Sequence, residues 1–320
     1  MSNELRRSPP HFISLAQTPA AELHRILDVA STLKQQIRET GKNDPLLAGK
    51  TLAMIFEKPS LRTRVSFAIA MTQLGGQGLL LRDDEVGLGK REPVKDVARV
   101  LGSMCDGIMA RVFEHQKILD LAKYSPVPVI NGLSDYSHPC QAMADILTIR
   151  ESFAGGHAGS DLAGKTVVYV GDGNNVARSL AVACGKFGMR FICVTPGGYE
   201  LPADDMDRIM SQVSGMEFVT SHDPREAARD ADVLYTDTWV SMGQETEKAR
   251  RMKDFSGFSI DESLLAIAPK HAIVLHCLPA YRGLEISEGV MEGPQSRVFQ
   301  QAENRLHAQK AILAVLMGGA

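Results

Sequence analysis

The chain has 320 residues, 44% hydrophobic and 23% charged, which suits one large or two medium globular domains with a full core. A formal net charge of −3 argues against bulk attraction to nucleic acid or acidic lipid, but leaves room for a local basic pocket. No apolar run approaches the ~20 residues that span a bilayer, and the opening MSNELRRSPPHF has no apolar signal stretch, so a cytoplasmic protein is expected.

The predicted elements fall into two halves with one grammar: apolar strand, turn, helix. In the first half TLAMIF (51–56) reads as a strand. PSLRTR opens a helix to about Leu74, and GGQGLLL (75–81) is glycine punctuation followed by a strand. A loop, RDDEVGLGKREP, precedes helix 94–104, strand 107–112, a helix over HQKILDLAKY and strand VPVING. DYSHPCQAMADILTIRES breaks the rhythm; Met143, Ile146, Leu147 and Ile149 have helical spacing, so 136–152 is a connecting helix. The Gly-rich stretch 155–164 marks a domain boundary. The second half restarts with strand and turn KTVVYVGDGNNVA, strand FICVTP, and PREAARDADVLYTDTWVSMG running from helix to strand to loop. AIVLHCLPAY is another strand and loop, and ENRLHAQKAILAVLM (303–317) is a closing helix. Short apolar strands alternating with helices predict an α/β fold of two doubly wound domains, each a parallel sheet flanked by helices. The expected boundaries are 1–135, the connecting helix 136–152, and 153–300.

Polar clusters sit where the predicted strands end, the place where such sheets bind ligands. Ser60 is a natural N-cap, and the helix start behind it favours an anion. Arg62 and Thr63 would add charge-assisted hydrogen bonds. The bland alternative is a solvated helix start, but arginine in a first turn opposes the dipole. Arg111 ends another strand.

His138 and Gln141 offer an imidazole and an amide about a turn apart, yet such a histidine is often purely structural. GDGNN suggests a dinucleotide loop, but Val176 stands at the last fingerprint position and no acidic residue ends the next strand. Asn174 and Asn175 read either as ligand amides or as a helix cap. Asp237 could hold an ammonium, and Ser241-Met242-Gly243 a carboxylate; all of this is also ordinary turn chemistry. Cys277 could be a nucleophile, but His276 beside it should project from the opposite strand face, a poor place for a base. Five scattered cysteines without a CxxC pair suggest reduced thiols and do not support a zinc knuckle.

Taken together and in order, FEKPSLRTRVSF, Arg111, HPCQ, GDGNN, DTWVSMGQE, HCLPA and QAENRLHAQKA resemble the aspartate/ornithine carbamoyltransferase family over nearly the whole chain. DTWVSMG and HCLP resemble its ornithine branch. The resemblance implies one domain for carbamoyl phosphate, with helix 303–317 packing back on it, and one for L-ornithine, no metal or organic cofactor, and a homotrimer or multiple of trimers. It implies transfer of the carbamoyl group to the δ-amine of ornithine, giving citrulline and phosphate for arginine biosynthesis. Carried over residue by residue, Ser60, Leu61, Arg62 and Thr63 would cradle the phosphate. Arg111, His138 and Gln141 would contact the carbamoyl group. Cys277, Leu278 and Arg305 would also serve carbamoyl phosphate, and Asn175, Asp237, Ser241 and Met242 would hold ornithine. Arg62, Arg111, His138 and Cys277 would be the catalytic set. Leu61 stands where the commoner motif has threonine; Ala68 and Gly87 also depart from the usual pattern. The competing readings are another acceptor, such as putrescine or an N-acylated ornithine, and, more distantly, a dinucleotide-dependent oxidoreductase.

Overall fold

The computed structural model describes residues 10–153, 162–213, 215–240 and 245–319. Ser241 and Met242 lie outside the described residues, as does most of the Gly-rich stretch 155–164.

Runs such as TLAMIF and TVVYV are apolar on both faces, which suits parallel strands covered by helices on either side. Nine strands among the described residues form two parallel sheets. The first contains β1 (Thr51–Phe56), β2 (Gln77–Arg82), β3 (Gly107–Arg111) and β4 (Val129–Leu133), in the order β2-β1-β3-β4. The second contains β5 (Thr166–Val170), β6 (Arg190–Val194), β7 (Phe218–Ser221), β8 (Val233–Thr236) and β9 (Ile273–His276), in the order β7-β6-β5-β8-β9. The expected α/β architecture with two doubly wound parallel sheets is the one observed. β3 and β5 are buried throughout, whereas β2, at a sheet edge, is half exposed.

The described residues divide into two compact units. One holds residues 10–18, Arg25–Cys140 and residues 306–319; the other holds Pro19–His24 and Gln141–Arg305. In the first, Ile55, Ile108, Ala110 and Val129 of the sheet pack with Ile118 and Leu121 of helix His115–Tyr124. In the second, Val168, Ile192, Leu234 and Val274 form the centre.

Some elements differ from expectation. The loop 82–93 contains a short helix, Asp83–Val86, because Glu85 reaches back to accept the backbone N–H of Arg82 at 2.7 Å. The connecting helix runs Pro139–Phe153; proline suits a first helical position, where its missing N–H costs nothing. The closing helix starts earlier than read, at Val298, and runs to Leu313 before a wider turn over Ala314–Gly318. Helix Ala20–Thr40 escaped the reading, although Leu23, Ile26, Leu27, Ala30 and Leu33 are all buried on one stripe.

In each sheet the strand order reverses once, between β1 and β3 and between β5 and β8. A crevice opens at such a switch point beyond the carboxyl ends of the two strands. Loops leaving β1, β3, β5 and β8 are therefore the ones that can reach a ligand.

Candidate functional site

At the first switch point, Phe56 of β1 pairs with Arg111 of β3. The chain leaves β1 through Glu57-Lys58-Pro59 and enters helix Leu61–Gln73. Ser60 takes the N-cap position with extended backbone, as expected, but its hydroxyl makes no cap hydrogen bond, so it is not spent on the helix. Thr63 is buried, and its Oγ1 accepts Nη1 of Arg111 at 3.3 Å. Arg62 is half-buried and Arg64 exposed, while Leu61 is 73% exposed. His138, 5% exposed, lies beyond β4, just before helix Pro139–Phe153. The structure thus brings Arg111 onto Thr63 and places Ser60 and Arg62 on the same helix start.

Two neighbours were not singled out from sequence. Glu57 accepts the backbone N–H of Phe113 at 2.9 Å and pairs with Lys117 at 2.6 Å, pinning the loop after β3 to the loop after β1. The Lys58 ammonium sits 4.4 Å from the Phe113 ring centroid. Burial, and then the Arg111 charge, push its pKa down to about 8, against the pull of Asp135 and Glu57. A cavity of about 710 Å³ opens beside this turn, lined by Lys58, Ser60, Leu61, Arg64 and Arg82 among others. Lys58, Arg64 and Arg82 line it beside the Glu57 carboxylate and apolar Phe56, Val65 and Leu80, while Arg62, Thr63 and Arg111 are not among its lining residues. The clue in the sequence was the adjacency of Glu57 and Lys58 to the motif.

At the second switch point, β5 leads into Gly171-Asp172-Gly173-Asn174 and helix Asn175–Lys186. Asn174 is the N-cap: its Oδ1 accepts the N–H groups of Val176 and Ala177 at 2.9 and 3.1 Å. Its Nδ2 donates to Asp237 Oδ2 at 2.9 Å. Asn175, half-buried, is the first helical residue. Gly173 is glycine for a packing reason, since a Cβ there would meet the backbone N of Leu201 at 2.5 Å. The turn is thus shaped by residues 199–201, which weakens the dinucleotide reading further. Asp172, pushed upward in pKa by burial and held down by Arg251, pairs with Arg251 at 2.8 Å. Arg251 also donates to the carbonyl of Trp239 at 3.1 Å, so one guanidinium ties the loops after β5 and β8 together. Neither residue was singled out from sequence, because they stand 79 positions apart.

Asp237 follows β8 and is almost fully buried. Besides Asn174, it accepts the backbone N–H of Thr238 at 2.8 Å and the Cys277 thiol at 2.9 Å, both on Oδ1. Cys277 follows β9. The next residue, Leu278, has a φ of +58° and precedes a cis proline bond. His276 donates Nε2–H to buried Glu285 at 3.0 Å, while its Nδ1 accepts the Leu278 N–H at 2.8 Å; the backbone donor fixes this tautomer. His276 is nearer to Cys277 than strand alternation suggested, since donor atoms of Asp237, His276 and Cys277 lie within 4.8 Å of one another. The chain turns immediately after β9, and that overrides the alternation. Both ring nitrogens are nonetheless engaged, so His276 is no base for Cys277. For the same reason only two of these three donors remain for a metal ion, fewer than zinc takes. In the same unit, Arg305, 3% exposed, donates Nη1 to Gln141 Oε1 at 2.7 Å.

The two sheets present crevice loops of opposite chemistry: cations and hydroxyls at one, a carboxylate and amides at the other. The family description "Aspartate/ornithine carbamoyltransferase, carbamoyl-P binding domain" matches residues 10–151, and the Asp/Orn binding domain of the same family matches residues 163–316. The chain is similar to an ornithine carbamoyltransferase of Methanopyrus kandleri, 47% identical over 98% of this chain and 99% of that one. A Pyrococcus furiosus relative named "Ornithine carbamoyltransferase, anabolic" is 49% identical over 96% of each chain. The solved structure of ornithine carbamoyltransferase from Pyrococcus furiosus has a TM-score of 0.92, with 48% identity over 98% of both chains. A solved N-acetyl-L-ornithine transcarbamylase has a TM-score of 0.84 at 32% identity, over 96% of this chain and 99% of that one. The chain belongs to the aspartate/ornithine carbamoyltransferase family.

Proposed function

We propose that the protein transfers the carbamoyl group of carbamoyl phosphate to the δ-amine of L-ornithine, giving L-citrulline and phosphate. The observation that carries this reading is the chemistry of the two switch points. Ser60, Arg62, Thr63 and Arg111 suit a phosphate at one; buried Asp237 suits an ammonium at the other. The identity of about 47–49% to named ornithine carbamoyltransferases supports ornithine over an acylated acceptor. In this reading Ser60, Leu61, Arg62 and Thr63 hold the phosphate, Leu61 through its backbone amide alone, without the hydroxyl a threonine would add. Arg111, His138, Gln141, Cys277, Leu278 and Arg305 serve the carbamoyl group, and Asn175, Asp237, Ser241 and Met242 serve ornithine.

The neutral δ-amine attacks the carbonyl carbon. Negative charge grows on the carbonyl oxygen and then, as the carbon–oxygen bond to phosphate breaks, on the departing phosphate, which carries away the proton that the amine sheds. Arg62, Thr63, Arg111 and His138 are donors for that charge, fixed before reaction, which is usually the largest catalytic contribution. Holding two polar substrates together supplies much of the rest. Cys277 donates its thiol hydrogen to Asp237, so it positions the acceptor and forms no covalent intermediate.

We further infer a homotrimer or multiple of trimers in the cytoplasm, working in the biosynthetic direction toward arginine, the sense in which the Pyrococcus furiosus relative is called anabolic. Leu61, Val65 and Ile69 repeat every fourth position on one helix and are 73%, 50% and 40% exposed, a face suited to a second copy. All five cysteines are present as thiols, which suits reducing surroundings. No helix among the described residues is long and apolar enough to cross a membrane. The deciding experiment assays the purified protein with carbamoyl phosphate and a panel of L-ornithine, N-acetylornithine and putrescine. Citrulline formation from ornithine is expected; preferential turnover of either other acceptor refutes the assignment. Light scattering after size exclusion tests the assembly, with a monomeric mass refuting it.

A further inference from the structure

Gln141, Arg305 and Cys277 share a support that the reaction scheme leaves unused. Asp145 lies one turn beyond Gln141 on helix Pro139–Phe153 and is completely buried. Its Oδ1 accepts Nε2–H of Gln141 at 2.8 Å and Nε2–H of Gln301 at 2.7 Å, and its Oδ2 accepts the Tyr235 hydroxyl at 3.2 Å. A side-chain amide has one donor end and one acceptor end. With both donor ends drawn to Asp145, both acceptor ends must face away. Gln141 Oε1 then receives Arg305 at 2.7 Å, and Gln301 Oε1 receives the backbone N–H of His276 at 2.9 Å, immediately before Cys277.

We propose that Asp145 is a positioning residue for the transfer reaction, orienting Gln141 and Gln301 and through them Arg305 and the backbone carrying Cys277. The inference rests on the proposed placement of carbamoyl phosphate against Gln141 and Arg305. A carboxylate is an expensive filler for a sealed site, where apolar residues of similar volume often serve stability as well or better. Burial raises the Asp145 pKa to about 7 against the three hydrogen bonds and the Arg305 charge, and Asp145 in turn helps to push up the buried Cys184 thiol. What Asp145 supplies, ionised or protonated on Oδ2, is one oxygen that accepts from both amides, and therefore a defined orientation for each.

The test uses Asp145→Leu in the full chain. Leucine keeps roughly the volume but offers no acceptor, so neither glutamine is held by its donor end. The expected result is at least a 10-fold fall in kcat/KM and a weaker Kd for carbamoyl phosphate, measured by calorimetry. Asp145→Asn can leave its oxygen to both glutamines and turn its amide nitrogen to the Tyr235 hydroxyl, so it should keep carbamoyl phosphate affinity to within about three-fold of wild type. Gln301→Leu breaks one arm only and should lower kcat with little change in that Kd. Normal kinetics for Asp145→Leu, a loss of affinity in Asp145→Asn as large as that in Asp145→Leu, or equal loss of kcat and affinity in Gln301→Leu each overturns the proposal. If Asp145→Leu does not fold, the other two variants decide. Gln141→Ala and Arg305→Ala separate the two layers: normal carbamoyl phosphate binding in both refutes the placement of the ligand, while weakened binding in them beside a normal Asp145→Leu refutes the positioning role.

Discussion

Lowering the pH from 7 to 4 should destabilise the first unit through one histidine. His307 sits on the closing helix, 4% exposed, with Lys310, Lys34 and Arg38 as cationic neighbours. Burial first, and then those three charges, push its pKa from 6.5 down to about 3. A depressed base is neutral in the fold, while the unfolded chain takes up a proton near pH 6.5. Its stabilising effect is therefore complete above that pH and is lost as the pH falls toward 3. At pH 4 the unfolded chain is protonated and the folded one is mostly not. That gap of two and a half pH units, at about 1.4 kcal/mol for each, gives a loss of about 3 kcal/mol. Urea unfolding of wild type and His307→Gln at both pH values, at fixed protein concentration, measures it. The wild type should lose about 3 kcal/mol more than the variant between pH 7 and 4. Equal losses, or a His307 that titrates near 6.5 in the folded protein, would refute the reasoning.

Arg62→Ala should lower kcat by about 10²-fold or more, the usual consequence of removing one preorganised donor, with circular dichroism unchanged; near-normal turnover would remove Arg62 from the mechanism. Cys277→Ser should remain measurably active, because serine can still donate to Asp237 from a slightly withdrawn position. A trapped adduct on Cys277 would contradict that. Asp237→Asn should raise the ornithine KM by roughly 10-fold or more while leaving carbamoyl phosphate binding nearly intact, since a charge-assisted hydrogen bond is worth about 1.5–3 kcal/mol. Parallel loss of both affinities would count against its assignment to the acceptor.

The candidate residues that were legible are those whose signal is local. Ser60, Arg62, Arg111, Asp237 and Cys277 each stand directly after or at the end of an apolar run, so strand ends and polar clusters coincide in the sequence. Asp145 was invisible for the opposite reason. Its partners Tyr235 and Gln301 are 90 and 156 positions away, and an aspartate on an amphipathic helix reads as a solvated residue until the fold seals it. Arg251 reads as surface charge on Lys248–Asp254 and is instead a buried tie to Asp172. Gly173 was legible only in part: the sequence set aside a dinucleotide loop because of Val176, but not the reason for the glycine, which is the close approach of residues 199–201. The backbone order of β1-β3 and β5-β8 is likewise beyond sequence pattern, since strand order in a parallel sheet depends on which crossovers pack.

Asp237 shows how such a site can discriminate between acceptors. Two carboxylate oxygens offer about four acceptor positions. Thr238 and Cys277 occupy two on Oδ1, and Asn174 occupies one on Oδ2. One position on Oδ2 is left among the described residues, enough for a single strong donor. An α-ammonium would complete the set and be charge-assisted. Acylation of the α-amine removes that charge and leaves at most one neutral amide N–H, so a nearly buried carboxylate loses its charge-assisted donor, and a site built to hydrogen-bond a missing group rejects the analogue far more strongly than an apolar pocket rejects a methylene. Putrescine keeps an ammonium at this end and lacks only the carboxylate, so its rejection would fall to the groups proposed to hold that carboxylate. Selection against acylated acceptors would thus be set less by how much of the amino acid is touched than by the one remaining acceptor position of a carboxylate otherwise fixed by its own fold.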